Sequence, residues 1–239
     1  CALPILPEFI QRAWSEKCEC FNSIHYLTDK TIIYPYLVLD IDSTNLELAQ
    51  KSLLKLVGVF NTNGNQNFTQ CFFSGSKGFH FYISSRLLLS SEPNMENFNP
   101  VVQKEIAHHL NDTYLKGEDA KIDTIAIGKN RIIRSINSIN YKSGLYKVPL
   151  LGDEIKLDVN KIKELAQKPR FELHCNILFS DMYSIANRGN VTVNNVLRLI
   201  YENALQSASE DKNHCDNATP KKKRSSTKGN STHPRVRKR

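Results

Sequence analysis

The segment "CFFSGSKGFHFYI", Cys71 to Ile83, sets two apolar runs, the second interrupted only by His80, on either side of a four- or five-residue polar turn. Such runs, rich in aromatic and branched side chains and punctuated by glycine, read as adjacent buried strands joined by a hairpin. A hairpin needs only two or three turn residues. Here the turn carries Ser74, Ser76, Lys77 and, just beyond it, His80, with Gly75 and Gly78 between them. Glycines expose backbone N–H donors in tight turns, and the hydroxyls, ammonium and imidazole add more, which is the chemical inventory of a phosphate cradle. The order GxxxxGK[ST] is absent and a strand follows, so a Walker-type loop is excluded. A glycine-rich hairpin with a solvated lysine is the plain alternative.

Around this hairpin the period of the apolar residues fixes the other elements. "NLELAQKSLLKLVGVF" places Leu46, Leu48, Ala49, Leu53, Leu54, Leu56 and Val57 on one side of a helix beginning after Ser43 or Thr44. "NPVVQKEIAHHLNDTYL" and "NVTVNNVLRLIYENALQ" are two more helices, and "CALPILPEFIQRAW" reads as the start of another rather than a secretory leader. "TIIYPYLVLDID" and "AKIDTIAIG" are strands, and "RIIRSINSINYKSGLYKVPL" is expected as a second hairpin. The sum is an α+β fold on a mostly antiparallel sheet with packed helices.

At 239 residues with 40% hydrophobic content, one principal globular unit is expected over residues 1–206. Residues 207–239 hold too little apolar material for a core and are expected to be a disordered tail. From Thr219 onward that tail has nine Lys or Arg and no acid, so the residues before it carry only about −1 of the formal +8. The tail suits solubility, phosphate-backbone attraction or, through "PKKKR", nuclear import. No apolar run approaches the roughly 20 residues of a membrane span. The six cysteines, at 1, 18, 20, 71, 175 and 215, are too sparse for a disulfide framework and fit a reducing intracellular compartment, cytoplasmic or nuclear. Cys18 and Cys20 lack the spacing of a zinc ribbon, and no structural zinc is expected. Because the chain begins at Cys1 rather than Met, it is expected to be a piece of a longer protein.

Two acids stand out in "LVLDID". Asp40 and Asp42, two apart on a strand, project from one face while Leu39 and Ile41 project from the other. Side-by-side carboxylates at a buried strand end repel unless a cation lies between them, although strand-end acids also simply cap a following helix. Asp123 in "KIDTIAIG" is a third acid, and Arg131, Arg134 and Lys142 follow it in the basic stretch. Acids and phosphate donors together supply both halves of a nucleotidyl-transfer site.

In order and combination, DxD, then SGxxGxH, then a hydrophobic-Asp followed by "RxxR…S…xKSGL…VPL" resembles the archaeo-eukaryotic primase superfamily, the primase small subunit and primase-polymerases, over roughly residues 34–150. The resemblance implies an RRM-like palm with an N-terminal α/β module, and a template-dependent DNA primase or polymerase drawing on NTP or dNTP. It implies that Asp40, Asp42 and Asp123 are catalytic and hold two Mg²⁺ or Mn²⁺ ions. It also implies that Ser74, Ser76, Lys77, His80, Arg131, Arg134 and Lys142 bind the nucleotide, mainly at its triphosphate. Expected partners are a nucleoside triphosphate, a single-stranded DNA template, and a helicase or other replication domain, with no membrane. Asn140 stands where the family commonly has a histidine. A non-catalytic nucleic-acid-binding module of the same fold, a ligase-associated type of repair polymerase and a metal-dependent nuclease are the alternatives.

Overall fold

The computed structural model describes residues 12, 15–61, 68–89, 94–128, 132–170 and 195–216; for Tyr26, 195–197 and 210–216 only the backbone is described. In chain order the elements are β1 (Phe21–Ser23), β2 (Tyr26–Leu27), β3 (Ile32–Ile33), β4 (Tyr36–Asp42), α1 (Leu46–Phe60), β5 (Thr69–Phe73), β6 (Gly78–Ser84), α2 (Pro100–Thr113), β7 (Lys121–Ile122), β8 (Ile132–Arg134), β9 (Val148–Leu150), α3 (Val159–Leu165) and α4 (Asn195–Asp216). Short 3₁₀ turns follow β6 at Ser85–Leu87 and β9 at Gly152–Lys156. This is the expected α+β class.

The central sheet runs β7-β4-β6-β5-β9, and every neighbouring pair is antiparallel. Its middle strand, β6, is buried along its whole length because both faces of the sheet are covered. On one face Leu37, Leu39 and Ile41 of β4, Phe79, Phe81 and Ile83 of β6, and Phe73 of β5 pack with Ala49, Leu53, Leu56 and Phe60 of α1 into the main core. On the other face Val38, Phe72 and Tyr82 join Ile24, Ile133 and Ile136 in a second, smaller cluster. Strand alternation therefore delivers Asp40 and Asp42 to the face of the smaller cluster, where side chains have room to meet a ligand.

Helix starts follow their caps. Asn45, rather than Ser43 or Thr44, caps α1 by accepting the Glu47 amide at 2.9 Å, while Ser43 Oγ accepts the Asn45 amide at 3.1 Å. Asn99 caps α2 at the amides of Val101 and Val102, with Pro100 in the first turn, where its missing N–H costs nothing. α4 packs along α2, burying Ile200, Ala204 and Ala208, and Tyr201 Oη donates to the Asn97 carbonyl at 2.8 Å.

Three expectations change. The boundary placed at Ser207 falls inside α4, whose apolar stripe of Ile200 and Ala204 continues to Ala208 and whose backbone runs on to Asp216. The hairpin expected over 131–150 is confined to its tip, where Ile139 and Tyr146 pair antiparallel, while the outer strands diverge: β8 pairs with β1 and β9 with β5. Between them Asn137 adopts φ 61, a left-handed conformation that asparagine tolerates, and turns the chain into a compact loop. The strand at "AKIDTIAIG" stops after Ile122, since Asp123 Oδ1 accepts the amides of Ile125 and Ala126 at 2.8 and 3.3 Å and bends the backbone away. The N-terminal helix expected around residues 1–14, apart from Arg12, and the basic tail after Asp216 lie outside the described residues.

Candidate active site

β4, β6 and the β5–β6 turn bring the acids and the phosphate-donor turn to one end of the sheet. Asp40 is the cross-strand partner of His80 and Asp42 that of Gly78, so both carboxylates lie beside the start of β6. Gly78 is required there: a Cβ would stand 3.0 Å from Asp42 Cα and nearer still to Asp42 Oδ1 and the Ile41 carbonyl. The missing side chain is thus the space that the Asp42 carboxylate fills. Gly75, at φ +87, takes a left-handed turn conformation that other residues resist and lies against the backbone of residues 145–147. The Ser143 hydroxyl donates to the Gly75 carbonyl, tying this turn to the loop that carries Asn140 and Lys142.

Both acids of the cleft floor face a base. Lys77 Nζ lies 3.1 Å from Asp42 Oδ2, and that hydrogen bond raises the lysine above its ordinary pKa, with Asp40 and Asp123 adding weaker pulls in the same direction. His80 Nε2 lies 3.5 Å from Asp40 Oδ1, and the imidazole is 8% exposed. Lys77, at 62% exposure, is by contrast a solvent-facing side chain with room to change partners.

A cleft of about 730 Å³ collects Asp40, Asp42, Ser74, Ser76, Lys77, His80, Arg134 and Lys142, which is eight of the ten residues expected at a site. Asp123 is outside the lining, but its backbone is joined to the site: the Asp123 amide donates to the Asp40 carbonyl at 2.8 Å, continuing the β4–β7 pairing. Arg131 lies outside the described residues. Among the described residues no three His, Cys, Asp or Glu side chains converge closely enough to hold a metal ion. Asp123 Oδ1 is engaged by the amides of its own turn. Asp40 and Asp42 together suit a divalent cation in chemistry, as hard oxygen donors on one face of the cleft, whereas Asp123 stands outside its lining.

Several cleft residues escaped the sequence reading. Glu19, just before β1, and Phe21, the first residue of that strand, are drawn beside Arg134 by the β1–β8 pairing. Glu19 Oε1 accepts Arg134 Nη1 and the Tyr141 amide, each at 2.7 Å. The amide bond is the foremost cause that keeps the Glu19 carboxyl below its usual pKa, with Arg134 and Lys142 assisting against the opposing effect of burial. Asn140 shapes its loop by accepting the amides of Lys142 and Ser143 at 3.0 and 3.3 Å, a structural duty in place of an imidazole. Cys18 is exposed and Cys20 buried, and the Cys20 amide donates to Ser138 Oγ at 2.6 Å.

Beneath the cleft lies Lys147, fully buried. Its ammonium donates to Tyr82 Oη at 3.0 Å and to the Arg134 carbonyl at 2.9 Å, and it lies 5.0 and 4.9 Å from the ring centroids of Phe72 and Tyr82. Nothing in "LYKVPL" distinguishes this lysine from a solvated one, except that it alternates with Val148 toward the opposite face.

No protein-family model matches the chain, and no curated protein matches it. Among solved structures it is similar to the polymerase domain of Mycobacterium tuberculosis Ligase D in complex with DNA, with TM-score 0.41 and 14% sequence identity. That similarity covers 59% of this chain and 56% of the other, so the chain spans little more than half the length of that structure. Among the described residues no helix is long and apolar enough to cross a membrane.

Proposed function

We propose that the chain is a metal-dependent nucleotidyltransferase that makes or extends a strand on a single-stranded DNA template, using NTP or dNTP. One observation carries the reading: Asp40 and Asp42 face the Ser74–Lys77 turn across a single cleft, with the Asp42–Lys77 pair joining the two halves. Carboxylates repel phosphates, so acids and phosphate donors sharing one cavity make sense when cations sit between them. The volume of about 730 Å³ lies within the range of small-molecule sites, roughly 300–1,000 Å³, and suits a nucleotide.

Bound Mg²⁺ or Mn²⁺ would supply charge neutralisation and activation of a strand-end hydroxyl, held by Asp40 and Asp42, the two acids that line the cleft. The remaining work falls to side chains of the chain itself. Lys77 holds Asp42 when no substrate is bound, and exchanges that partner for a phosphate oxygen when a triphosphate arrives. Ser74 and Ser76 donate from the rigid turn that Gly75 and Ser143 anchor. His80, kept in place by its position beside Asp40 and by burial, acts as a phosphate donor rather than a base. Pre-set donors of this kind are where phosphoryl-transfer sites obtain most of their rate.

The second reading, a non-catalytic nucleic-acid-binding module, is favoured by the engagement of Asp123 Oδ1 in its own turn. Incorporation of labelled nucleotide on single-stranded templates separates the two. Primed and unprimed templates, NTP and dNTP, and Mg²⁺ and Mn²⁺ are compared, with pyrophosphate release followed in parallel. Metal-dependent incorporation with pyrophosphate release is the expected result. Template binding with no incorporation under any combination refutes the enzyme, and strand cleavage without pyrophosphate release points to a nuclease.

A further inference from the structure

The cleft read above as a triphosphate site already contains an anion of its own. Glu19 reaches in from the segment before β1, and its Oε1 receives two charge-assisted or amide hydrogen bonds, from Arg134 Nη1 and from Tyr141 N, both at 2.7 Å. Two short donors converging on one oxygen is how proteins hold either a carboxylate or a phosphate. The donors are fixed before any ligand arrives. Arg134 is 14% exposed, its Nη1 also donates to the Ile139 carbonyl at 2.8 Å, its own carbonyl accepts Lys147 Nζ, and its guanidinium lies 5.1 Å from the Phe21 ring centroid. The Tyr141 amide belongs to the loop that Asn140 organises. The carboxylate, by contrast, sits on a side chain 31% exposed, able to swing outward while its backbone stays anchored by Cys20, whose carbonyl accepts the Ser135 amide at 2.8 Å.

We propose that Arg134 and the Tyr141 amide form a phosphate subsite of the nucleotide cleft, and that Glu19 is its built-in occupant, which the incoming phosphate displaces. The proposal rests on the nucleotide reading of the cleft and adds to it an intramolecular competitor. An ordinary structural salt bridge between the β1 segment and the 134–141 loop predicts the opposite behaviour: removing the Glu19 charge would loosen the cleft and weaken anion binding. Under the competitor account the same change strengthens it. Glu19→Gln is the informative substitution because glutamine keeps an oxygen for the Tyr141 amide while giving up the charge that Arg134 attracts.

The experiment is calorimetric titration of the protein with inorganic tripolyphosphate, which needs no catalysis, with melting temperature recorded for each variant. Glu19→Gln is expected to bind about tenfold more tightly than the unaltered chain, the equivalent of one charge-assisted hydrogen bond no longer in competition. Arg134→Gln in the Glu19→Gln background is expected to abolish that gain. An affinity unchanged or weakened in Glu19→Gln overturns the proposal, as does a gain that survives Arg134→Gln. If Glu19→Gln melts below the assay temperature, Glu19→Asp, which withdraws the carboxylate by one methylene, is judged by the same criterion. Lys77→Ala separates the two levels: if it weakens binding while Glu19→Gln changes nothing, the competitor alone is refuted, and if neither changes binding the triphosphate reading fails as well.

Discussion

Replacing Gly78 with alanine tests the link between the sheet and the site. The added methyl would lie 3.0 Å from Asp42 Cα and closer to the Asp42 carboxylate and the Ile41 carbonyl, and two of these three are backbone atoms of the paired strand. They cannot simply rotate away. Either β4 and β6 part locally, at the expense of ladder bonds in a sheet whose spacing is about 4.8 Å, or Asp42 leaves its place beside Lys77. Overpacking of this kind costs about 1–3 kcal/mol, and contact with backbone argues for the upper half, about 2–3 kcal/mol. For a domain of this size each kcal/mol moves the melting temperature by about 2–4 °C, so a drop of about 4–12 °C is expected. Gly58→Ala is the internal control. A Cβ there meets nothing within 4 Å, the position is exposed in the last turn of α1, and alanine should stabilise by up to about 0.5–1 kcal/mol through helix propensity. Thermal unfolding followed by circular dichroism reads both. A Gly78→Ala melting temperature within about 1 °C of the parent would refute the packing argument.

Other outcomes follow from neighbouring features. Lys147→Met should cost about 1–3 kcal/mol in urea unfolding, because Tyr82 Oη and the Arg134 carbonyl lose their buried donor; a methionine variant as stable as the parent would show that burying the charge costs as much as its bonds return. Burial pushes the Cys71 thiol up to about 12, so iodoacetamide at neutral pH should alkylate exposed Cys18 and spare Cys71 until the protein unfolds; equal labelling of the two in the folded state contradicts this. Glu19 has a lowered pKa in the folded chain, so its contribution is present above the ordinary glutamate value and is lost as pH falls through the lower, folded value. Melting temperatures of Glu19→Gln and the parent should therefore differ near neutrality and converge in acid, and a gap that widens on acidification would contradict the sign.

Local pattern made most of the site legible and long-range pairing hid the rest. Alternation along "LVLDID" put Asp40 and Asp42 on one face, and the glycines of "SGSKG" announced the turn that meets them, because both facts depend on residues a few positions apart. Glu19 was invisible for the opposite reason. Its partner Arg134 is 115 residues away, and the three-residue strand β1 that unites them is exposed and carries no apolar alternation. The stretch around β8 and β9 reads as a hairpin because both ends are β-branched and the middle is polar; its tip does pair, Ile139 with Tyr146, yet the left-handed turn at Asn137, whose Oδ1 accepts the distant Arg170 amide, sends the outer strands to different sheets. Lys147 was concealed by its type: composition assigns lysine to solvent, whereas here two aromatic rings, a hydroxyl and a carbonyl replace its water.

The most direct measurement is binding of Mn²⁺, followed by electron paramagnetic resonance, in the presence of a non-hydrolysable nucleoside triphosphate analogue. The parent chain and an Asp40→Asn, Asp42→Asn double variant of matched melting temperature are compared. Saturable, analogue-dependent Mn²⁺ binding by the parent and its loss in the double variant are what the account predicts. Equal binding by both proteins, or none by the parent, would contradict it.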